Sequence, residues 1–269
     1  MGLHSSIWSE WRFDMECKMI KINYILEGII LPCKMNKVHP IKKGVDYKTL
    51  NIRPFDLVLF NGGDAVSSFI SCLSEEALGN GAGKFSHVGM IVTREILYDK
   101  DMEEGKLYIW ESTASGRLGG DVYNIHGDAW IGTQIRDFDQ VMKSYDANPN
   151  SSIAIRHIVN NPIDNPNDVH QIRETMAFLL GRYNEKPYEV NMMQLFTAMF
   201  PKLRCLRLKW GKNRFIFCSE LVAIIYKAVD ILSSTCDPSN VVPADFVVDD
   251  IDKQVCLEKF GPIQYIRYI

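Results

Sequence analysis

The chain has 269 residues and a formal net charge of −3, from 30 basic and 33 acidic side chains. With no long basic run and no aromatic stacking platform, that balance argues against an electrostatic nucleic-acid binder. The length is enough to bury a substantial core, and no run approaches about 18 uninterrupted apolar residues, so no transmembrane helix is expected.

Residues 1–50 mix aromatic, basic and apolar side chains without a sustained period, and are read as an N-terminal extension to a domain at 51–269. Within it, residues 25–31 are apolar but contain Glu27 and stop at Pro32, too far along for a secretory signal core. From Phe55 the pattern sharpens. Residues 55–60 (FDLVLF) predict a buried strand that ends at Asn61, Gly62 and Gly63. Val66, Phe69, Ile70, Leu73 and Ala77 then recur at helical spacing, between a capping Asp64 and a stop at Gly79.

Residues 85–92 (FSHVGMIV) predict the next strand, with His87, Gly89 and Ile91 on one face. Residues 107–111 (LYIWE) predict another, and here Glu111 stands where the alternation calls for an apolar side chain. Residues 133–136 and 153–159 are further strand candidates. Asn165, Pro166, Asn167 and Asp168 open a helix whose buried face is Val169, Ile172, Met176, Leu179 and Leu180, with Gly181 as its stop. A second amphipathic helix begins at Cys218, with Leu221, Val222, Ile225 and Val229 on the same face. Residues 262–269 predict a closing strand. Strands and helices come in blocks, which predicts an α+β fold with an antiparallel sheet packed against helices, including the one that carries Cys218.

The chain has 7 cysteines, at 17, 33, 72, 205, 218, 236 and 256. An odd number without CxxC spacing predicts neither a disulfide framework nor a zinc ribbon, and points to a reducing, cytoplasmic setting. Most free thiols are buried packing residues. Cys218 differs in its position: a thiol in the first turn of a helix faces unpaired backbone N–H groups and the positive end of the helix dipole, which favour thiolate. His87 would serve as its base, and Glu111 on the neighbouring strand would fix the ring's tautomer. Taken one at a time, each residue also has an ordinary structural explanation, as a core thiol, a hydrogen-bonded strand histidine and a solvated carboxylate.

The order of these motifs carries a further reading. Asp56-Leu57-Val58-Leu59-Phe60 and His87-Val88-Gly89-Met90 precede Lys186-Pro187-Tyr188-Glu189 and Cys218-Ser219-Glu220-Leu221-Val222. This resembles the parts of the NlpC-type papain-like peptidases, cut and rejoined in the opposite order. It is similar to the circularly permuted branch of YiiX/YaeF-like amidases, with relatives in poxviruses and other large DNA viruses. Val242-Pro243-Ala244-Asp245-Phe246 is similar to that branch's Pro-x-Asp element. The resemblance spans roughly residues 53–246.

The resemblance implies a circularly permuted papain-like fold with Cys218 as nucleophile, His87 as base and Glu111 as the orienting residue. It also implies that Tyr188 lies near the substrate. Residues 1–50 and the basic, apolar stretch at 192–212 depart from the minimal pattern. The implied activity is thiol-dependent hydrolysis of an amide-type bond (peptide, isopeptide or γ-glutamyl-like), with no metal or organic cofactor. The substrate would be a peptide or amide-containing small molecule, or a lipid. The same thiolate could instead act as an acyltransferase or lipid acyl hydrolase, or the fold could persist as a non-catalytic host- or membrane-interaction module. Cys205, Cys218 and His87 are zinc-type ligands with spacing that does not suit a site. Met1-Gly2-Leu3-His4-Ser5-Ser6 fits an N-myristoylation pattern at Gly2, which would add peripheral membrane association. Nothing in the sequence sets the oligomeric state.

Overall fold

The computed structural model describes residues 44–62, 81–113, 124–127, 131–147, 151–187, 216–247 and 259–269, with Ser67, Ile70, Ser71, Ser74 and Glu75 between the first two. These five are helical, in line with the period seen at 66–77.

The strands are β1 (Val45–Asp46), β2 (Leu57–Asn61), β3 (His87–Val92), β4 (Tyr108–Thr113), β5 (Gly132–Asp137), β6 (Ser152–Arg156) and β7 (Gln264–Arg267). They form one 7-stranded sheet in the order β1-β7-β6-β2-β3-β4-β5. The run β2-β3-β4-β5 is antiparallel between chain neighbours. The sheet is mixed rather than wholly antiparallel, because β1 and β7 pair in parallel. Those two strands come from opposite ends of the described chain, so no hairpin dictates their relative direction. Val45 and Asp46 are thus part of the sheet, which takes in residues on the N-terminal side of position 51.

Besides those five residues, four α-helices are described from end to end: α1 (Arg94–Leu97), α2 (Phe138–Asp146), α3 (Val169–Tyr183) and α4 (Cys218–Ala228). The sheet lies between two apolar layers. On one side Leu57, Leu59, Val88, Met90 and Trp110 pack with Ile172, Met176 and Leu179 of α3 and Leu221, Val222 and Ile225 of α4. On the other, Val58, Phe60, Ile91 and Ile109 pack with Phe138, Val141 and Met142 of α2. This sandwiching is why β2 reads as a continuous apolar run instead of alternating. Each such side chain contributes roughly 1.5–3 kcal/mol by leaving water.

Two element boundaries differ from the sequence reading for visible reasons. The strand expected from residue 55 starts at Leu57, because Phe55 adopts φ 71 and turns the chain. Phe55 is fully buried, so packing holds a conformation that costs an aromatic residue about 1–3 kcal/mol. The helix expected to stop at Gly181 runs on to Tyr183, which is buried, while Gly181 faces open space. The left-handed turn that ends a helix falls instead on Glu185, at φ 60.

Candidate functional site

Cys218 is the first residue of α4, and Phe217 occupies the N-cap in extended conformation with no side-chain cap. The first turn is pinned from two sides. Ser112 Oγ on β4 donates to the Ile216 carbonyl at 2.6 Å, and the Ile216 N–H donates to the Pro187 carbonyl at 3.1 Å. Ser219 Oγ donates to the Val241 carbonyl at 2.7 Å. That carbonyl leads into the 3₁₀ turn Pro243–Phe246, where Asp245 accepts from the Val242 N–H at 2.9 Å. The Pro-x-Asp element therefore braces the start of α4. The first full helical turn closes with the Leu221 N–H on the Phe217 carbonyl at 3.0 Å. The N–H groups ahead of Leu221 belong to the turn that a helix cannot satisfy internally.

His87 opens β3 opposite Phe60, whose ring centroid lies 5.3 Å from the imidazole. Its Nε2 meets Glu111 Oε2 at 2.5 Å, and the ring is close enough to Cys218 to interact with its sulfur. With Nε2 committed to Glu111, the nitrogen left for sulfur is Nδ1. His87 begins its strand and Cys218 begins its helix, so ring and thiol meet at element ends. The thiol residue is 3% exposed and the His87 side chain 14%, which leaves a narrow opening to solvent at the ring.

Glu111 is fully buried on β4, with Gly89 directly across the ladder on β3. A Cβ at position 89 would come within 2.6 Å of Ile109 Cδ1 and 3.1 Å of Glu111 Cβ, so the glycine makes room for the carboxylate's stem. The other oxygen, Oε1, accepts from Arg136 Nε at 2.6 Å and from Arg136 Nη2. Arg136 sits on β5 two residues beyond Gln134, the ladder partner of Glu111. One carboxylate thus lies between two cations. Burial pushes Glu111 up, but the Arg136 charge and the His87 hydrogen bond outweigh it and hold the carboxyl down at about 2. For His87, burial opposes protonation; attraction and hydrogen bonding to Cys218, then to Glu111, raise it to about 10. The ring is held as imidazolium beside the sulfur, the protonation state in which it can hand a proton to a leaving group.

Of the residues named from sequence, the structure brings Cys218, His87 and Glu111 together, with His87 hydrogen-bonded to Glu111 and interacting with Cys218. Tyr188 and Gly2 lie outside the described residues, as do Cys205 and residues 192–212. Asp56 stands elsewhere: its Oδ2 accepts from the Arg53 N–H and pairs with His157 Nδ1, both at 2.8 Å, and its Oδ1 accepts from the Ile158 N–H at 3.0 Å. Arg136 was not singled out from sequence, although an arginine in a short, otherwise uncharged run beside the Glu111 strand was the available signal. A second polar group also went unnoticed: Asp99, Asp101 and His126 present ligand-type atoms within 4.8 Å of one another.

No protein-family model matches the chain, and no curated protein sequence matches it. Among solved structures, the metalloprotein YiiX from Escherichia coli O157:H7 is similar at a TM-score of 0.39 and 15% identity, over 68% of this chain and 71% of that one. The similarity is coarse. Among the described residues no helix is long and apolar enough to cross a membrane.

Proposed function

We propose that this protein is a cysteine hydrolase of amide-type bonds with a circularly permuted papain-like fold. The single observation that supports it is the row Cys218, His87, Glu111, in which one imidazole hydrogen-bonds a buried carboxylate and interacts with a helix-start thiol. The Cys218 sulfur, as thiolate, attacks the substrate carbonyl. The oxyanion that forms is met by N–H groups of the first turn of α4. His87 gives its proton to the departing amine as the C–N bond breaks, leaving a thioester on Cys218. Water then attacks the thioester; His87 takes its proton, the C–S bond breaks, and thiolate and imidazolium are restored. Glu111 keeps Nε2 of the ring engaged, so that Nδ1 faces the sulfur in both steps.

The test is an amide- or ester-based electrophilic probe applied to the full-length protein and mapped by mass spectrometry. We expect one adduct, on Cys218, that is lost in His87→Ala while the variant remains folded. Labelling spread evenly over the thiols would overturn the reading. Adding acceptor amines to a turning-over sample asks where the acyl group goes: free acid is expected, and amide product in its place would reassign the protein as an acyltransferase.

A further inference from the structure

The sulfur and the imidazole of the row reach each other from opposite faces of the sheet. Cys218 opens α4, whose Leu221, Val222 and Ile225 pack in the layer that contains Trp110. The His87 ring lies against Phe60, which belongs to the other layer, with Ile109 and Phe138. Packing within one layer therefore does not fix the spacing between thiol and ring. Apolar contacts are also non-directional, so they press α4 onto the sheet without setting its position along its own axis.

Two consecutive residues of β4 supply what packing leaves open, because neighbours on a strand point to opposite faces. Glu111, on the face of Ile109, holds the His87 ring through Oε2. Ser112, on the face of Trp110, donates from Oγ to the Ile216 carbonyl at 2.6 Å, two residues ahead of Cys218. Both are fully buried. One peptide link, about 3.8 Å from Cα to Cα, thus separates the anchor of the base from the anchor of the nucleophile. Thr133, the buried ladder partner of Ser112 on β5, completes the grip. Its Oγ1 donates to the Tyr183 carbonyl and accepts from the Lys186 N–H, the latter at 2.8 Å. Its backbone N–H donates to the Lys186 carbonyl at 2.8 Å, and its carbonyl accepts from the Glu185 N–H at 3.1 Å. Pro187, next in the chain, bridges to Gly132 and offers its carbonyl to the Ile216 N–H at 3.1 Å. Ile216 is held at both its N–H and its carbonyl, and each line of bonding leads back to a buried hydroxyl on one of two paired strands.

We propose that Ser112 is a positioning residue for Cys218, supported from the neighbouring strand by Thr133. The serine sets the distance between sulfur and ring, and the threonine fixes the segment whose Pro187 carbonyl makes the second contact to Ile216. This rests on the hydrolase reading and adds to it two residues that act through Ile216 rather than on the substrate. Without the serine hydroxyl the Ile216 carbonyl loses its partner, and the start of α4 is free to slide. Proton transfer needs the two groups within hydrogen-bonding reach, and a misplacement of about 1 Å is enough to cost ~100-fold in rate. A more distant imidazolium also favours the thiolate less, so alkylation of the thiol should set in at higher pH.

The test follows iodoacetamide modification of Cys218 by mass spectrometry across pH in the full-length protein, with urea melts on the same samples. Ser112→Ala should slow modification near neutral pH by roughly 10–100-fold and move the acid limb of the profile to higher pH. Thr133→Val, which keeps the shape and removes the hydroxyl, should move both in the same direction by less. Thr133→Ser, which keeps the hydroxyl, should follow the wild-type profile. Asp56→Asn serves as the control, destabilised elsewhere and unchanged in profile. A serine that only stabilises would lower the urea midpoint of Ser112→Ala and leave its profile on that of wild type, which overturns the proposal. Equal displacement of the profile in Thr133→Val and Thr133→Ser overturns it as well. Should Ser112→Ala not fold, the two Thr133 variants decide alone. A wild-type Cys218 that reacts no faster than the other thiols removes the hydrolase reading itself, and this proposal with it.

Discussion

Glu111 and Asp56 are both fully buried carboxylates that hold a histidine, yet their oxygens are used in different ways. Asp56 binds His157 and two backbone N–H groups, closing the turn at residues 53–56 and fixing the exit of β6. His157 is raised by its hydrogen bond to Asp56, against some burial, and its side chain is 28% exposed. Glu111 accepts no backbone group among its recorded bonds; it lies between Arg136 and His87, and the same imidazole reaches a thiol. A buried histidine–carboxylate pair is therefore not a signature of chemistry. What separates the two regions is the third group: backbone amides make the pair a brace, whereas a thiol at a helix start makes it a candidate for proton transfer.

The contrast can be broken most directly by alkylation kinetics. Iodoacetamide modification of Cys218 near neutral pH should slow by about 10²–10⁴-fold in His87→Ala, the scale of losing a positioned base. His157→Ala should leave the rate unchanged, and equal slowing in both variants would erase the distinction. Next in size is Arg136→Met, which leaves a buried carboxylate with one cation in place of two. It should cost about 3–5 kcal/mol in denaturant unfolding. Losing the Arg136 charge should also raise Glu111, so the acid limb of the alkylation profile should move to higher pH; an unmoved limb would show that Arg136 only packs.

Asp56→Asn removes a charged acceptor from its backbone donors and should cost about 1–3 kcal/mol while the alkylation rate of Cys218 stays as in wild type. Gly89→Ala should cost a comparable ~1–3 kcal/mol by overpacking, but with slower alkylation, because the new methyl crowds Glu111. These two variants, matched in stability and opposite in reactivity, sharpen the comparison further.

A further handle on the pair is pH. His87 in the folded chain stands near 10 against 6.5 for a free imidazole, so its contribution to stability is whole below about pH 6.5 and is lost as pH rises toward 10. Glu111 stands near 2 against 4.5, so its contribution is whole above about pH 4.5 and is lost as pH falls toward 2. Urea melts taken between pH 6.5 and 10 should weaken by at most about 1.4 kcal/mol per pH unit through His87. His87→Ala should flatten that slope.

The sequence reading placed Cys218, His87 and Glu111 because each sits on a strongly patterned element: a helix with an apolar face, or a strand whose alternation a polar residue interrupts. Element existence follows from such local periods. Arg136 was illegible because its meaning depends on β4–β5 register, a contact between strands that local pattern does not fix. The same holds for Asp99, Asp101 and His126, which gather from two segments joined only in three dimensions. The parallel β1–β7 pair was missed because short strands at opposite ends of a chain leave no hairpin signal. Phe55 has a strand-like pattern in sequence because β propensity says nothing about the positive φ that packing imposes on it.

The bond from Ser112 Oγ to the Ile216 carbonyl spans 104 residues and anchors the helix that carries the thiol. As the chain emerges from a ribosome, the imidazole and its carboxylate are made early and wait without a sulfur beside them. Cys218 arrives after most of the sheet, and β7, which follows every other described element, must still slot between β1 and β6. The row of thiol, imidazole and carboxylate is thus among the last features of the fold that synthesis can complete.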